Sequence, residues 1–274
     1  MGPQELDSFP ARGARLQALL GELDRLAVAF SGGVDSAVLL HAARAALGPR
    51  AVGVIADSPS LPRRELEEAR SFAEGIGAEL VVLETAELDD PRYRRNDERR
   101  CYFCKSALFE AMGVWARSRG IETLAFGEIA DDRLDDRPGA AAARERGVRA
   151  PLAEAGFTKD DVRRYAREHG LAVADKPASA CLASRIARGS DVSAGALARV
   201  ERAEEALHRL GLRQLRVRDR GRLARVEVGA GDLDRARALE PEIAGALAPL
   251  GFDDLQLAAY VPPAERGPAD SGNS

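Results

Sequence analysis

The sequence predicts an α/β fold: a parallel sheet wrapped by helices, followed by a smaller α+β domain. Three observations carry this. Short apolar runs alternate with helical patterns through the first half of the chain. The first run passes through a glycine turn directly into a helix. After Ser193 the register changes to helix, strand, strand, helix, strand. Strands that alternate with helices pair in parallel, and such sheets place their ligand crevice at the carboxyl ends of the strands.

In chain order, residues 15–23 read as a short leading helix, and Arg25 to Phe30 (RLAVAF) is a compact apolar strand. SGGVDS then turns into the helical pattern AVLLHAARAAL. Ala51 to Pro59 is a second buried strand, PRRELEEARSFAEGIG a helix closed by Gly77, and ELVVLET a third strand. After an Arg- and Asp-rich stretch, Lys105 to Arg119 is expected to be helical, with Cys101 and Cys104 in the loop before it, and ETLAFGE is a fourth strand. Residues 131–150 read as a loop with one helical piece. TKDDVRRYAREHGL has an N-cap at Thr158, an acidic first turn and a Gly stop at Gly170. DKPASACLASRIARGS has no amphipathic period and reads as a loop, where chemistry tends to lie. The second domain should run helix (197–210), strand LRVRDRG, strand LARVEVG, helix (232–250) and strand DDLQLAAYV, with a hairpin at Asp219 to Arg222 and a disordered tail after it. The expected domains are therefore 12–190 and 191–262, with a tail at 263–274.

The 274 residues are 45% hydrophobic and 31% charged, which excludes a disordered chain and a small disulfide scaffold. A formal charge of -4 leaves no excess of cations for a nucleic-acid backbone, so no nucleic-acid partner is expected. No apolar run approaches the roughly 20 residues that a membrane helix needs, and no export segment is evident at the start, so a cytoplasmic protein is expected. The cations are nearly all arginine, which makes the lysines, Lys105, Lys159 and Lys176, more informative.

Ser31, Gly32, Gly33, Val34, Asp35 and Ser36 present backbone N–H groups and hydroxyls at a helix start, where an anion is favoured. The loop lacks the lysine of a Walker loop and the third glycine of a dinucleotide fingerprint, so neither fits. Asp57 and Ser58 end the second strand, a place where nucleotide enzymes of such folds commonly touch adenosine. Arg216 and Arg218 alternate on one strand and so share a face suited to gripping a phosphate. A solvated strand face is the alternative. Glu227 on the paired strand could hold a metal or orient an arginine. Cys101 and Cys104 make a Cys-x-x-Cys pair, and with Cys181 they suit a [4Fe-4S] cluster with one open iron. Zinc, a redox disulfide or no joint function remain alternatives. His41, His169 and His208 fall in helical patterns and read as packing or surface residues.

SGGVDS resembles the pyrophosphate loop of the ATP pyrophosphatases, also called PP-loop enzymes, which cleave ATP to AMP and pyrophosphate. This implies an adenine nucleotide alpha hydrolase-like domain that binds ATP, with Asp35 helping to hold Mg2+. Further segments are similar to the LarE family of ATP-dependent sulfur transferases: ADSPSLPRRELEEA, RCYFCK, GVRAPL with GFTKDDVR, DKPASACLASRIARG and LRVRDRGRLARVEV. That resemblance implies adenylation of the carboxylates of pyridinium-3,5-biscarboxylic acid mononucleotide, and displacement of AMP by sulfur on the way to a nickel-pincer cofactor. It implies that Cys181 is the reacting cysteine, that Lys105 lies near the phosphates or acyl adenylate, and that Ser184 and Arg185 belong to the substrate loop. Sulfide or another sulfur donor is an implied partner, and a homo-oligomer is expected. Glu128 departs from the pattern, standing where many PP-loop enzymes carry Asn. The runner-up implied by the superfamily is a cluster-dependent tRNA thiolation enzyme. A synthetase using ammonia and a non-catalytic AMP-binding module are further rivals.

Overall fold

The computed structural model describes residues 8–134, 138–177 and 180–261; the tail expected at 263–274 lies outside them. In chain order the elements are α1 (Phe9–Gly21), β1 (Leu26–Ala29), α2 (Val34–Leu47), β2 (Ala51–Asp57), α3 (Arg63–Gly75), β3 (Glu79–Glu84), α4 (Pro91–Arg94), α5 (Arg100–Ser118) and β4 (Thr123–Phe126). There follow α6 (Pro138–Arg144), α7 (Pro151–Glu154), α8 (Lys159–Glu168), α9 (Ala194–Arg209), β5 (Leu215–Arg220), β6 (Leu223–Val228), α10 (Leu233–Ala238), α11 (Glu240–Leu247) and β7 (Asp254–Ala259). They form two compact units, one from 8–87 with 99–177 and the other from 88–98 with 180–261. The sequence placed the division after 190; by compactness, the Cys181 loop and the 88–98 segment go with the C-terminal unit.

The first unit is built on a parallel sheet of order β3-β2-β1-β4, as the alternation of strands and helices required. Successive residues of β1 face opposite sides. Leu26 and Val28 join a core with α1, α2, α3 and α8, whereas Ala27 and Ala29 join one with Phe109, Met112 and Ala116 of α5. Both faces are covered, which is why β1 is apolar at every position. Chain order runs outward from β1 in one direction through β2 and β3, then returns to β4 on its other side. The carboxyl ends of β1 and β4 thus flank a topological switch point.

Three boundaries differ from expectation. The leading helix, expected over 15–23, runs from Phe9 to Gly21, because the Ser8 side chain caps it by accepting the Ala11 amide and Pro10 stands in its first turn. α5 begins at Arg100, so Cys101 and Cys104 lie in its first turns and not in a loop. The amides of Tyr102 and Phe103 bond to the Arg99 carbonyl at 2.9 and 3.2 Å, and Phe103 is buried, so the helix starts one turn early. The helix expected over 232–250 is broken at Leu239 into α10 and α11. Pro241 stands in the first turn of α11, where its missing N–H costs nothing, but it could not continue a helix arriving from α10.

α8 begins with the capping box expected at Thr158. The Thr158 hydroxyl accepts from the Asp161 amide while the Asp161 side chain takes the Thr158 amide. Its Tyr165 hydroxyl meets His41 Nδ1 of α2 at 3.0 Å, and the His41 and His169 rings lie 5.0 Å apart. Burial, with His169 beside it, holds His41 below its ordinary 6.5. The unfolded imidazole therefore has the higher pKa, and acidification through about pH 6.5 protonates the unfolded chain first and drains stability. Melting temperature should fall between about pH 6.5 and 5, above the range where carboxylates protonate. His41→Gln should flatten that slope; equal slopes in variant and wild type would show that another group is responsible.

In the second unit the sheet order is β5-β6-β7, with β5 and β6 antiparallel and β6 and β7 parallel. The hairpin forms at the expected place, where Asp219 accepts the Gly221 amide at 2.9 Å. Val217, Ala224, Val226 and Val228 face a core with Ala203 and Leu207 of α9 and with Ile243 and Leu247 of α11. Arg216, Arg218, Arg225 and Glu227 consequently share the opposite face, Arg216 paired with Glu227 and Arg218 with Arg225.

Candidate functional site

In the first unit, the chain leaves β1 through the expected glycine turn. Gly32 has φ +74, a left-handed conformation that favours glycine. Ser36, in the first turn of α2, ties the turn down: its hydroxyl takes the Ser31 amide at 3.2 Å, donates to the Gly33 carbonyl at 3.0 Å and lies 3.1 Å from Ser31 Oγ. Gly33, the N-cap residue, makes no side-chain cap. Free donors at a helix start with a left-handed glycine beside them make a suitable anion cradle.

Gly127, just past β4, lets that strand end press against the cradle. A Cβ there would stand 2.7 Å from the Ser36 amide nitrogen and 2.9 Å from the Asp35 carbonyl carbon, so any side chain would push α2 out of place. The next residue, Glu128, is buried, and its carbonyl accepts the Ala153 amide at 3.1 Å.

The carboxylate of Asp35 receives Lys159 Nζ at 2.8 Å on both oxygens. Lys159 starts α8, and its own amide is held by Asp131 at 2.8 Å. Lys176 is held by Glu65 at 2.6 Å and Glu68 at 2.9 Å; burial opposes its charge, but the two carboxylates outweigh it and hold the ammonium above the usual lysine range. Two of the three lysines therefore sit around this corner, Lys159 on Asp35 and Lys176 on Glu65, whose carboxylate lies beside the Gly32 position. The third, Lys105, lies on α5 with Nζ 5.9 Å from the Phe109 ring centre. The scarcity of lysine was the signal for Lys159 and Lys176; nothing local marked Gly127.

At the end of β2, Asp57 is ion-paired with Arg63, and the Ser58 hydroxyl takes the Ser60 amide at 3.0 Å. Both side chains expected near an adenosine are thus engaged in the local turn.

Cys101 is exposed and Cys104 half-buried, three residues apart and so on one face of α5. Neither they nor Cys181 are in a disulfide, and among the described residues no three His, Cys, Asp or Glu side chains gather as a metal site. The three thiols come from both units, two from the first and Cys181 from the second.

In the second unit, Cys181 caps a short 3₁₀ turn (Leu182–Arg185) and is half-buried. Arg185 is 5% exposed and organises the turn. Its guanidinium donates to the carbonyls of Ala180 and Cys181 and to Ser184 Oγ, and is paired with Glu204 of α9 at 2.8 Å. Glu204 also takes the Val217 amide at 3.0 Å, so one buried carboxylate joins the Cys181 turn to β5. Arg218 donates to the Ser184 carbonyl at 2.7 Å and to Glu227 at 3.0 Å, while Arg225 approaches Glu227 at 3.5 Å. Glu227 thus orients an arginine. Arg216 stacks on Tyr260, 3.9 Å from the ring centre. Burial first, then the neighbouring Arg185 and Arg218, hold its guanidinium below the usual arginine range against the influence of Tyr260. A half-buried cation among other cations is stabilised by an incoming anion. Sequence alternation found Arg216 and Arg218; Glu204 and Tyr260 carry no local sequence signal.

The parallel sheet with its Ser-Gly-Gly cradle at the switch point fits a PP-loop-like α/β domain. The GMP synthase of Chlamydia caviae is 29% identical over 124 residues, 42% of this chain and 23% of that one, in keeping with this class. The pyridinium-3,5-bisthiocarboxylic acid mononucleotide synthase of Lactiplantibacillus plantarum is 34% identical over 245 residues, 89% of each chain. The chain belongs to that synthase's family, the LarE family. An uncharacterized protein of Synechocystis is 45% identical over 213 residues, 78% of this chain and 80% of that one. No family model matches the chain. Among the described residues no helix is long and apolar enough to cross a membrane.

Proposed function

We propose that this protein is an ATP-dependent sulfur transferase that converts the carboxylates of a pyridinium-3,5-biscarboxylic acid mononucleotide into thiocarboxylates for a nickel-pincer cofactor. The observation that carries this is the likeness to the L. plantarum synthase across 89% of both chains, which takes in the Cys181 turn and the arginine face of β5. A carboxylate is a poor electrophile because oxide is a poor leaving group. Its oxygen attacks the α-phosphorus of ATP, pyrophosphate leaves, and an acyl adenylate forms. Sulfide then attacks the acyl carbon and AMP departs, leaving the thiocarboxylate; a cysteine thiolate attacking there gives a thioester instead, whose Cβ–S bond must break with loss of the α-proton to release the thiocarboxylate and leave dehydroalanine.

The Ser31–Ser36 cradle receives the phosphates on the free amides at the start of α2. Asp35, whose carboxylate lies in the first turn of α2, would hold magnesium there, and Lys159 and Lys105 would supply positive charge to the phosphates. Asp57 and Ser58 contribute to the adenosine side through their turn. Arg216 takes the phosphate of the mononucleotide, supported by Arg218, whose fork Glu227 and Ser184 aim. Arg185 presents the Cys181 turn. Thiolates of Cys101, Cys104 and Cys181 would be the ligands of a [4Fe-4S] cluster, which would offer an iron without a protein ligand to carry sulfide. On this reading the protein acts in the cytoplasm.

The test is ATP–pyrophosphate exchange that depends on the mononucleotide, with sulfide added and the thiocarboxylate followed by mass spectrometry. Absence of exchange with the mononucleotide present would remove this reading and favour a nucleotide-binding module, and exchange that ignores the mononucleotide would point to another adenylated acceptor. Arg216→Ala should weaken mononucleotide binding about tenfold or more, the loss of one charge-assisted hydrogen bond, and leave ATP binding nearly unchanged. Equal weakening of both ligands would count against Arg216 as the phosphate residue.

A further inference from the structure

A single 3₁₀ turn has little stability of its own, so the turn that carries Cys181 must be held by side chains from elsewhere. Arg185 secures its upstream side. The downstream side, Ile186 and Ala187, is secured by Asn96, from 90 residues earlier in the chain: its Nδ2 donates to their carbonyls at 3.2 and 2.8 Å. The Asn96 carbonyl accepts the Gly189 amide at 3.3 Å, and the Arg94 carbonyl accepts Val192 at 2.9 Å, so residues 94–96 run as a splint along 186–192. All of this lies within the second unit.

Asn96 is fully buried and, among the described residues, is the one non-glycine with positive φ, at 55°. Glycine adopts that conformation at lower cost. A side chain kept at such a position is kept for what it does. Only a carboxamide fits: it offers two donors on a short stem, whereas aspartate would present acceptors to two carbonyl oxygens.

We propose that Asn96 is a positioning residue for sulfur transfer, setting the Cys181 turn in its reactive geometry through the carbonyls of Ile186 and Ala187. The proposal rests on the sulfur-transferase reading for its chemistry. It assigns a function to the 88–98 segment, which the chain inserts between β3 and the Cys101 helix.

Asn96→Gly removes the carboxamide and retains the backbone conformation, and Asn96→Asp retains size but not the donors. In native alkylation with iodoacetamide, mapped by mass spectrometry, both variants should label Cys181 about fivefold faster or more, as expected from losing hydrogen bonds, with Cys101 and Cys104 unchanged. Thiocarboxylate formed with sulfide should fall about tenfold, while ATP–pyrophosphate exchange at saturating mononucleotide, a step that precedes sulfur transfer and does not use Cys181, stays within about twofold. Unchanged Cys181 labelling in either variant would overturn the proposal. So would equal acceleration at all three cysteines, or loss of exchange in parallel with sulfur transfer, since either marks a residue needed only for folding. Wild-type protein that forms no thiocarboxylate would instead remove the functional reading, and the alkylation rates would still decide the positioning role of Asn96.

Discussion

Asp35→Ala is expected to abolish AMP and pyrophosphate formation with the mononucleotide present, a loss of about 100-fold or more, the scale seen when a preorganised electrostatic group is removed from a reacting centre. The reasoning begins with place. Asp35 is the second residue of α2, directly after the Ser-Gly-Gly turn, and Gly127 lets the end of β4 pack against its backbone. A carboxylate at a helix start near a phosphate site is tolerable only with a cation, and Lys159 already supplies one at 2.8 Å. Magnesium carried in with ATP would serve the same need during turnover. The fold should survive the change, because Asp35 is half-buried and its partner can turn to solvent. Lys159→Met offers a contrast: it should weaken ATP binding and leave the carboxylate able to hold metal. An Asp35→Ala enzyme that makes AMP at the wild-type rate would show that Asp35 does not hold the metal.

The second large effect concerns the cysteines. If Cys101, Cys104 and Cys181 together hold a [4Fe-4S] cluster, anaerobically reconstituted protein given sulfide should form more than one thiocarboxylate per chain, with no loss of mass at Cys181. Cys101→Ala should lose iron and fall to one product per chain or fewer. One turn of α5 separates Cys101 from Cys104, which brings both sulfurs to a common face with Cys101 exposed. A sacrificial enzyme requires only Cys181, whose Cβ–S bond breaks to leave dehydroalanine. Products stopping at one sulfur per chain with iron fully bound, and dehydroalanine at Cys181, would establish the sacrificial route and leave Cys101 and Cys104 without a catalytic part.

Much of this was legible in the chain itself. The apolar runs of β1 and β2 and the Ser-Gly-Gly turn are local signals, because burial on both faces demands unbroken apolar strands and a left-handed turn demands glycine. The capping box of α8 and the two-residue period of Arg216 and Arg218 are equally local. The start of α5 was misjudged because Arg99 and Phe103 stabilise a turn that the Cys-x-x-Cys spacing made look like a loop.

The sequence by itself determined the parallel α/β architecture, the phosphate cradle and the arginine face, since each depends on residues a few positions apart. The tertiary structure alone decided the partners: Lys159 on Asp35, Gly127 against Ser36, Glu204 under Arg185 and Asn96 behind the Cys181 turn. Those pairs are separated by 19 to 124 residues. A side chain's hydrogen-bond partner across such a distance depends on which elements the core brings together, and no periodicity or motif along the chain records it.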